Sequence, residues 1–209
     1  MSTTRDVAIF LFDDVEVLDF AGPYEVFSVA GLRTLPQKPF NVFTVAEKSP
    51  IIARNGLTIV PDFLLDECPL APIFLIPGGG GYHPNGSPFG SRREMHNPVV
   101  IEWVQKQAKF AELTLSVCTG ALILAQAGIL EGLQATTHFK ALDSLKAISP
   151  NIEVLDHVRY VDNGHVILSA GVSAGIDMSY YVVSKLLGEA LANEAAQYAQ
   201  YDYWPHAKA

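Results

Sequence analysis

The chain has 209 residues, of which 49% are hydrophobic and 17% are charged, and its formal net charge at pH 7 is −8. A chain of this length buries roughly 70% of its unfolded surface as one domain, so we expect a single domain over residues 1–209. The acidic balance argues against a nucleic-acid surface, because phosphate contacts need clustered Lys and Arg. The sequence has no run of about 18 apolar residues, which argues against a membrane span.

The cysteines and histidines indicate whether the chain is a disulfide-rich secreted protein or a metal-binding protein. The two cysteines, Cys68 and Cys118, do not form the dense framework of a small secreted fold. The first residues are polar and charged, unlike a secretory signal, so we expect a cytoplasmic protein. The histidines show no metal-ligand spacing, so the sequence predicts neither a metal site nor another cofactor.

The hydrophobic pattern predicts strands that alternate with helices. In the first part of the chain it predicts a strand at 7–12, a helix that begins at Pro23, a strand at 40–46 and a hairpin over 51–63 around Arg54-Asn55-Gly56. In the middle it predicts a strand at 73–77, a helix from Asn97-Pro98, a strand at 113–117 and a helix that stops at Gly128. After these it predicts a helix to about Ala147, a hairpin over 158–170 around Asp162-Asn163-Gly164, and a long helix from Ser173 to about Ala192. We assign no structure to residues 197–209.

This alternation predicts an α/β sandwich with a mostly parallel central sheet. In open α/β sheets, sites lie at the carboxyl ends of the strands. The segments that follow three predicted strands, residues 13–19, 78–81 and 118–120, carry unusual side chains or glycine runs. We therefore expect these three segments to converge on one site.

Cys118 is the first candidate for chemistry, because it lies between a buried strand and a helix. A cysteine at the positive end of a helix has a lowered pKa, and its thiolate is nucleophilic. The turn is similar to a nucleophile elbow with cysteine in place of serine. The alternative is a buried structural cysteine, which is common in protein cores. Cys68 lacks such a context and is interpreted as structural.

The glycine run at residues 78–81 has two interpretations. With Thr119, the backbone N–H of Gly79 can form an oxyanion hole beside the nucleophile. The alternative is a tight turn after a strand. The run lacks the spacing of a phosphate-binding loop.

Asp19 and His138 are the candidate partners of the cysteine. Asp19 is flanked by Leu18 and Phe20, and an apolar environment raises the pKa of a carboxyl to a range useful for acid/base chemistry. The alternative for Asp19 is a helix cap. His138 is interpreted either as a partner of Cys118 or substrate, or as a histidine that only satisfies its own hydrogen bonds.

Four segments together carry a family resemblance: VAIFLFDDVEVLDFAGPYEVF, FLIPGGGG, LTLSVCTGALILAQAGILEGLQATTHF and ILSAGVSAGID. They resemble the ThiJ/PfpI superfamily, relatives of class I glutamine amidotransferase domains, over about residues 7–190. The resemblance implies a flavodoxin-like three-layer sandwich and a homodimer. Isocyanide hydratases and regulators with an AraC-type DNA-binding domain are the branches that look most similar.

The resemblance implies roles for individual residues. Cys118 matches the nucleophile and Asp19 its acid/base partner, where many members carry Glu. Thr119, with Gly78 and Gly79, matches the groups around the reacting atom. His138 matches a histidine of glyoxalase- and protease-like members, which the hydratase-like pattern does not require.

The leading hypothesis is therefore an isocyanide hydratase-like lyase, which adds water to a small-molecule isocyanide through a Cys118 thioimidate. The alternatives are a glyoxalase-, deglycase- or amidase-like cysteine enzyme, or a non-catalytic domain that binds a small ligand or senses oxidants. A DNA-binding regulator needs about 100 further residues, and the sequence ends at Ala209, so we expect no nucleic-acid partner. Residues 81–96 are interpreted either as part of the substrate pocket or lid, or as an inert surface loop.

Overall fold

The computed structural model describes residues 4–202 of the chain. Its strands are β1 (Arg5–Leu11), β2 (Phe40–Ala46), β3 (Ile51–Ile52), β4 (Thr58–Ile59), β5 (Phe63–Leu64), β6 (Ile73–Ile76), β7 (Gly80–Tyr82), β8 (Pro88–Gly90), β9 (Leu113–Val117), β10 (Gln134–Ala135), β11 (Glu153–Val154), β12 (Tyr160–Asp162) and β13 (Val166–Ser169). Its helices are α1 (Val17–Val29), α2 (Ser91–Glu94), α3 (Pro98–Phe110), α4 (Gly120–Gln126), α5 (Leu142–Ile148), α6 (Ala174–Leu187) and α7 (Glu189–Tyr198), with 3₁₀ turns at Arg54–Gly56 and Phe139–Ala141.

The central sheet has seven strands in the order β12-β13-β9-β6-β1-β2-β5. All neighbouring pairs are parallel except β12 and β13, which form the antiparallel edge hairpin. Strands β6 and β9 are buried along their whole length, as is β1 from Val7 onward. Continuous apolar runs are typical of parallel strands covered on both faces, and the predicted sheet is confirmed.

The helices pack in two groups that cover the two faces of the sheet. Helices α1, α6 and α7 contact one another, and α4 contacts α2, α3 and α5. This arrangement is the three-layer, flavodoxin-like sandwich that the resemblance implied. None of the described helices combines the length and apolar character needed to cross a lipid bilayer.

Two predicted helices differ from the observed ones. Helix α1 begins at Val17 and contains Pro23 in its interior, so the prediction of a helix start at Pro23 was wrong. Pro23 has no N–H for the carbonyl of Asp19, and the buried face of α1 outweighs that loss. The long C-terminal helix is interrupted at Gly188, which has a φ of 93° and separates α6 from α7. Helix α7 ends at Tyr198 within the stretch left unassigned, and residues 203–209 lie outside the described part of the chain.

The sheet order brings the predicted segments together. Strand β6 lies between β1 and β9 and is parallel to both, so the carboxyl ends of all three meet at one edge. The segment after β1 leads into α1, the segment after β6 is the glycine run, and Cys118 follows β9 directly. The predicted convergence of these segments is confirmed.

Candidate active site

Cys118 lies at a strained turn between β9 and α4. Its φ is 55°, a left-handed conformation that non-glycine residues seldom adopt and that is concentrated at functional sites. Its N–H donates to the carbonyl oxygens of Ser169, at 3.3 Å, and Ala170, at 3.0 Å. The buried hydroxyl of Thr137 donates to the carbonyl oxygen of Cys118 at 2.7 Å. Both backbone groups of Cys118 are thus satisfied, and the turn is that of a nucleophile elbow.

Two glycines allow this elbow to pack. A Cβ atom on Gly120 would overlap the carbonyl oxygen of Ile76, and one on Gly175 would lie 2.8 Å from the side chain of Val117. Neither glycine needs an unusual φ, so the requirement is one of space. The Cys-Thr-Gly sequence after β9 therefore lets α4 start directly against the end of β6.

Asp19 lies in the first turn of α1 and is completely buried. Its Oδ2 accepts a hydrogen bond of 2.9 Å from the N–H of Gly78. The cap residue of the helix is Glu16, so the interpretation of Asp19 as a helix cap is wrong. Its Oδ1 is buried without a partner of good hydrogen-bond geometry among the described residues, and the thiol of Cys118 lies beside the carboxyl.

Burial raises the pKa of Asp19 to about 7, and the neighbouring charge of Glu16 adds to the rise. Hydrogen bonds from the N–H of Gly78 and from the thiol of Cys118 act in the opposite direction. A carboxyl with a pKa close to neutral can both accept and release a proton during one reaction cycle.

Burial also raises the pKa of the Cys118 thiol, to about 12, and the nearby carboxylate of Asp19 raises it further. The N–H groups of Thr119 and Val172 donate to the sulfur and partly oppose these effects. The expectation of a lowered cysteine pKa was therefore wrong, because desolvation and an adjacent negative charge outweigh the start of a short helix. The thiol and the carboxyl are close enough for each to shift the pKa of the other, so they titrate as a coupled pair.

The glycine run supports this pair through backbone hydrogen bonds. The N–H of Gly79 donates to Oγ1 of Thr119 at 3.0 Å, and Oγ of Ser91 lies 2.8 Å from the same oxygen. Together with the bond between Gly78 and Asp19, these contacts occupy the glycine N–H groups that the sequence assigned to an oxyanion hole. The N–H groups at the sulfur are those of Thr119, which the sequence also assigned to the hole, and of Val172. A Cβ on Gly78 would lie 2.9 Å from Oδ2 of Asp19, so this position requires glycine.

His138 lies at the mouth of the site. Its Nδ1 accepts a hydrogen bond of 3.3 Å from the N–H of Lys140, and its ring packs on that of Phe139. Burial lowers the pKa of His138, and the charges of Lys140 and Arg92 lower it further. Among the described residues, no hydrogen bond joins this ring to Cys118. A role for His138 in the reaction stays a prediction.

A cavity of about 300 Å³ opens onto the sulfur. It is lined by Cys118, Thr119, Gly79, Gly80, Val172, His138, Glu16, Arg54, Arg92 and Lys140. Larger cavities of about 490 and 530 Å³ lie elsewhere, and neither borders Cys118 or Asp19. Residues 81–96 form the β7–β8 hairpin and α2, and α2 places Arg92 in the wall of the site. Within residues 4–202, no group of three or more His, Cys, Asp and Glu side chains is arranged to hold a metal ion.

Several residues of this site were not predicted from the sequence. The three cations in the wall come from separate segments: Arg54 from the turn between β3 and β4, Arg92 from α2, and Lys140 from the turn after His138. Thr137, which donates to the carbonyl oxygen of Cys118, was not predicted either, although it precedes the candidate residue His138 directly. Val172 has a φ of 47°, an unusual backbone conformation for a β-branched residue that the sequence does not reveal.

A strained cysteine elbow and a buried carboxyl at the carboxyl end of a parallel sheet define an α/β protein with a candidate cysteine site. The chain belongs to the DJ-1/PfpI family, whose model matches residues 5–185. The resemblance to the ThiJ/PfpI superfamily is thereby confirmed.

Curated relatives include an enzyme and a regulator. The chain is 31% identical over 182 residues to the isonitrile hydratase of Pseudomonas putida, an alignment that covers 87% of this chain and 72% of the relative. It is 25% identical over 194 residues to the HTH-type transcriptional regulator CdhR of Pseudomonas aeruginosa, covering 93% of this chain and 54% of the regulator. The chain thus spans about half the length of the regulator.

Solved structures show the same fold. A THiJ/PfpI family protein from Pseudomonas syringae superimposes with a TM-score of 0.83 at 26% identity, covering 97% of this chain and 77% of the other. Drosophila melanogaster DJ-1beta superimposes with a TM-score of 0.77 at 19% identity, covering 96% and 100% of the two chains. The second likeness concerns the fold alone.

Proposed function

We propose that the protein is an isocyanide hydratase-like lyase, which converts R–N≡C and water into the N-formamide R–NH–CHO. The observation that carries the proposal is the completely buried Asp19 carboxyl beside the Cys118 thiol. The reaction needs one group that gives up and takes back a proton beside the nucleophile, and this pair supplies it. The isonitrile hydratase activity named for the relative in Pseudomonas putida supports the same reaction.

The reaction begins with attack on the isocyanide. Asp19 accepts the thiol proton, and the sulfur of Cys118 forms a bond to the terminal carbon of the isocyanide. The carbon of this adduct then takes the proton from Asp19, which gives the thioimidate R–N=CH–S–Cys. The N–H groups of Thr119 and Val172 stabilise negative charge on the sulfur before attack.

Water completes the cycle. Asp19, again a carboxylate, accepts a proton from a water molecule as its oxygen adds to the thioimidate carbon. Asp19 passes this proton to the nitrogen and then accepts the hydroxyl proton as the C=O bond forms, the carbon–sulfur bond breaks and R–NH–CHO leaves. Cys118 recovers its proton from Asp19, so the atoms balance with water as the only co-reactant.

The test is formamide release from a panel of isocyanides that includes cyclohexyl isocyanide. We expect turnover by the wild type, none by Cys118→Ala, and a rate lower by roughly 10²- to 10⁴-fold for Asp19→Asn. Cys68→Ala is the matched control, because Cys68 is a half-buried free thiol that does not line the cavity, and it should retain full activity. Absence of formamide with every isocyanide, or full activity of Cys118→Ala, would refute the proposal.

A second candidate is an α-oxoaldehyde reaction, which is favoured by the position of His138 in the wall of the Cys118 cavity. In this case the protein would form lactate from methylglyoxal, and His138→Gln would abolish that activity. Isocyanide hydration does not require this histidine, so His138→Gln would leave most formamide release intact. The two substrates assayed with this variant distinguish the reactions.

A third candidate is ligand binding without turnover, which is compatible with the similarity to the regulator from Pseudomonas aeruginosa. It predicts that a small ligand raises the melting temperature while no product forms. An oxidant-sensing role predicts instead that Cys118 forms sulfenic acid under mild peroxide. Product formation above background would exclude a purely binding role.

A further inference from the structure

The wall of the Cys118 cavity carries positive charge, although the chain as a whole has a net charge of −8. We name the side chains of Arg54, Arg92 and Lys140 the cationic wall. The only acidic residue among those lining this cavity is Glu16. Three cations from three separate segments therefore meet around a nucleophile in an acidic protein.

Most of this charge is not neutralised within the protein. The guanidinium of Arg54 is 3.5 Å from the carboxylate of Glu16, which offsets one positive charge. Arg92 and Lys140 form no ion pair with any described residue. Their charged groups lie over aromatic rings instead, Arg92 over Tyr82 and Lys140 over Phe139, each 5.6 Å from the ring centre.

The remaining groups do not cancel this excess. Burial and the two nearby cations lower the pKa of His138, so its ring is neutral at neutral pH. Two unpaired cations thus remain in the wall of a cavity of about 300 Å³, a size that suits a small molecule. A planar guanidinium and an ammonium at one site provide hydrogen-bond donors that fit a carboxylate.

We propose that the cationic wall binds a carboxylate on the substrate, so that the preferred isocyanide is a small acid that carries both an isocyano group and a carboxylate. This inference rests on the proposed function for the reacting group, and on Arg92 and Lys140 for the acidic group. The carboxylate pairs with these two residues while the isocyano carbon lies at the sulfur of Cys118. Charged walls in a cleft also attract an oppositely charged substrate and raise its rate of association.

The test compares two isocyanides that differ in one charge, isocyanoacetate and its neutral methyl ester. Formamide release gives kcat/KM for each. We expect kcat/KM of the wild type to be at least about tenfold higher for the anion, and the preference to shrink at high salt, because salt screens charges near the surface. Equal or faster turnover of the ester would overturn the inference and leave the proposed function standing.

Variants assign the preference to the cationic wall. In the double variant Arg92→Gln with Lys140→Gln, the ratio of kcat/KM for anion to ester should fall to near one. The matched control is Arg33→Gln with Lys109→Gln, which removes the same charge from exposed positions outside the cavity and should keep the wild-type ratio. Melting temperatures establish that both variants are folded. An unchanged ratio in the folded Arg92/Lys140 variant would overturn the inference.

If no isocyanide of the panel is converted, the proposed function fails and the cationic wall is tested by binding alone. N-formylglycine and its methyl ester are then compared as ligands in thermal melting. A rise in melting temperature with the acid only, lost in the Arg92/Lys140 variant, would support carboxylate binding. No rise with the acid in the wild type would overturn it.

Discussion

Replacement of Asp19 by Asn measures how much free energy the buried carboxylate costs the folded state. Burial raises the pKa of Asp19 from 3.8 to about 7, and each pKa unit corresponds to about 1.4 kcal/mol. Between these two values the folded protein binds the proton more tightly than the unfolded chain. The free energy of unfolding therefore falls as the pH rises through this range.

The magnitude follows from the two pKa values. The raised pKa of Asp19 lowers the free energy of unfolding by about 2 kcal/mol at pH 5 and by about 4 kcal/mol at pH 8. Asn has a similar shape and does not titrate, so Asp19→Asn should be more stable than the wild type by a margin that grows with pH over this range. Urea unfolding at pH 5, 6, 7 and 8 gives the free energy of unfolding of each protein.

The difference in the free energy of unfolding between variant and wild type reports the contribution of Asp19 alone, because the other titrating groups contribute equally to both proteins. Asp143→Asn is the control, since the Asp143 side chain is fully exposed and its difference should stay within about 0.5 kcal/mol. If the difference in the free energy of unfolding between Asp19→Asn and the wild type is the same at every pH from 5 to 8, burial does not raise the pKa of Asp19.

Two further predictions concern the elbow. Gly120→Ala should lower the free energy of urea unfolding by about 3 kcal/mol or more, because the new Cβ overlaps the backbone of β6. Gly128→Ala, where the φ is 77° and space is open, should lose only about 1 to 2 kcal/mol. Thr137→Val removes the hydrogen bond to the carbonyl of Cys118 and should cost about 1 to 3 kcal/mol in the same measurement.

Local sequence signals predicted much of the fold. Strands β2 and β9 have the predicted bounds, because a continuous apolar run between polar segments is visible in the sequence alone. The turn at Asn55, with a φ of 63°, follows from residues that tolerate a left-handed backbone. Helix α1 was placed wrongly, because the buried contacts of its first turns are tertiary and outweigh the signal of Pro23.

The site was predictable in position but less so in chemistry. Cys118 and Asp19 were found because both follow apolar strands, and parallel strands bring their ends together. The direction of the cysteine pKa was wrong, because it depends on desolvation and on a carboxylate that is 99 positions away in the chain (118 − 19 = 99). Arg54, Arg92 and Lys140 carried no local signal, since only the fold brings them to one wall. The catalytic roles, the homodimer and the cytoplasmic location stay predictions.

The origin of the residues around the sulfur bears on how this scaffold can be redesigned. Cys118, Asp19 and the backbone groups that donate to them follow strands of the central sheet, whereas the cationic wall comes from a hairpin turn, a four-residue helix and a 3₁₀ turn. In the proposed reaction, reactivity and recognition are thus encoded in separate parts of the chain. On the proposed binding mode, replacement of Arg92 and Lys140 should redirect the protein toward uncharged molecules while Asp19 stays beside the thiol of Cys118.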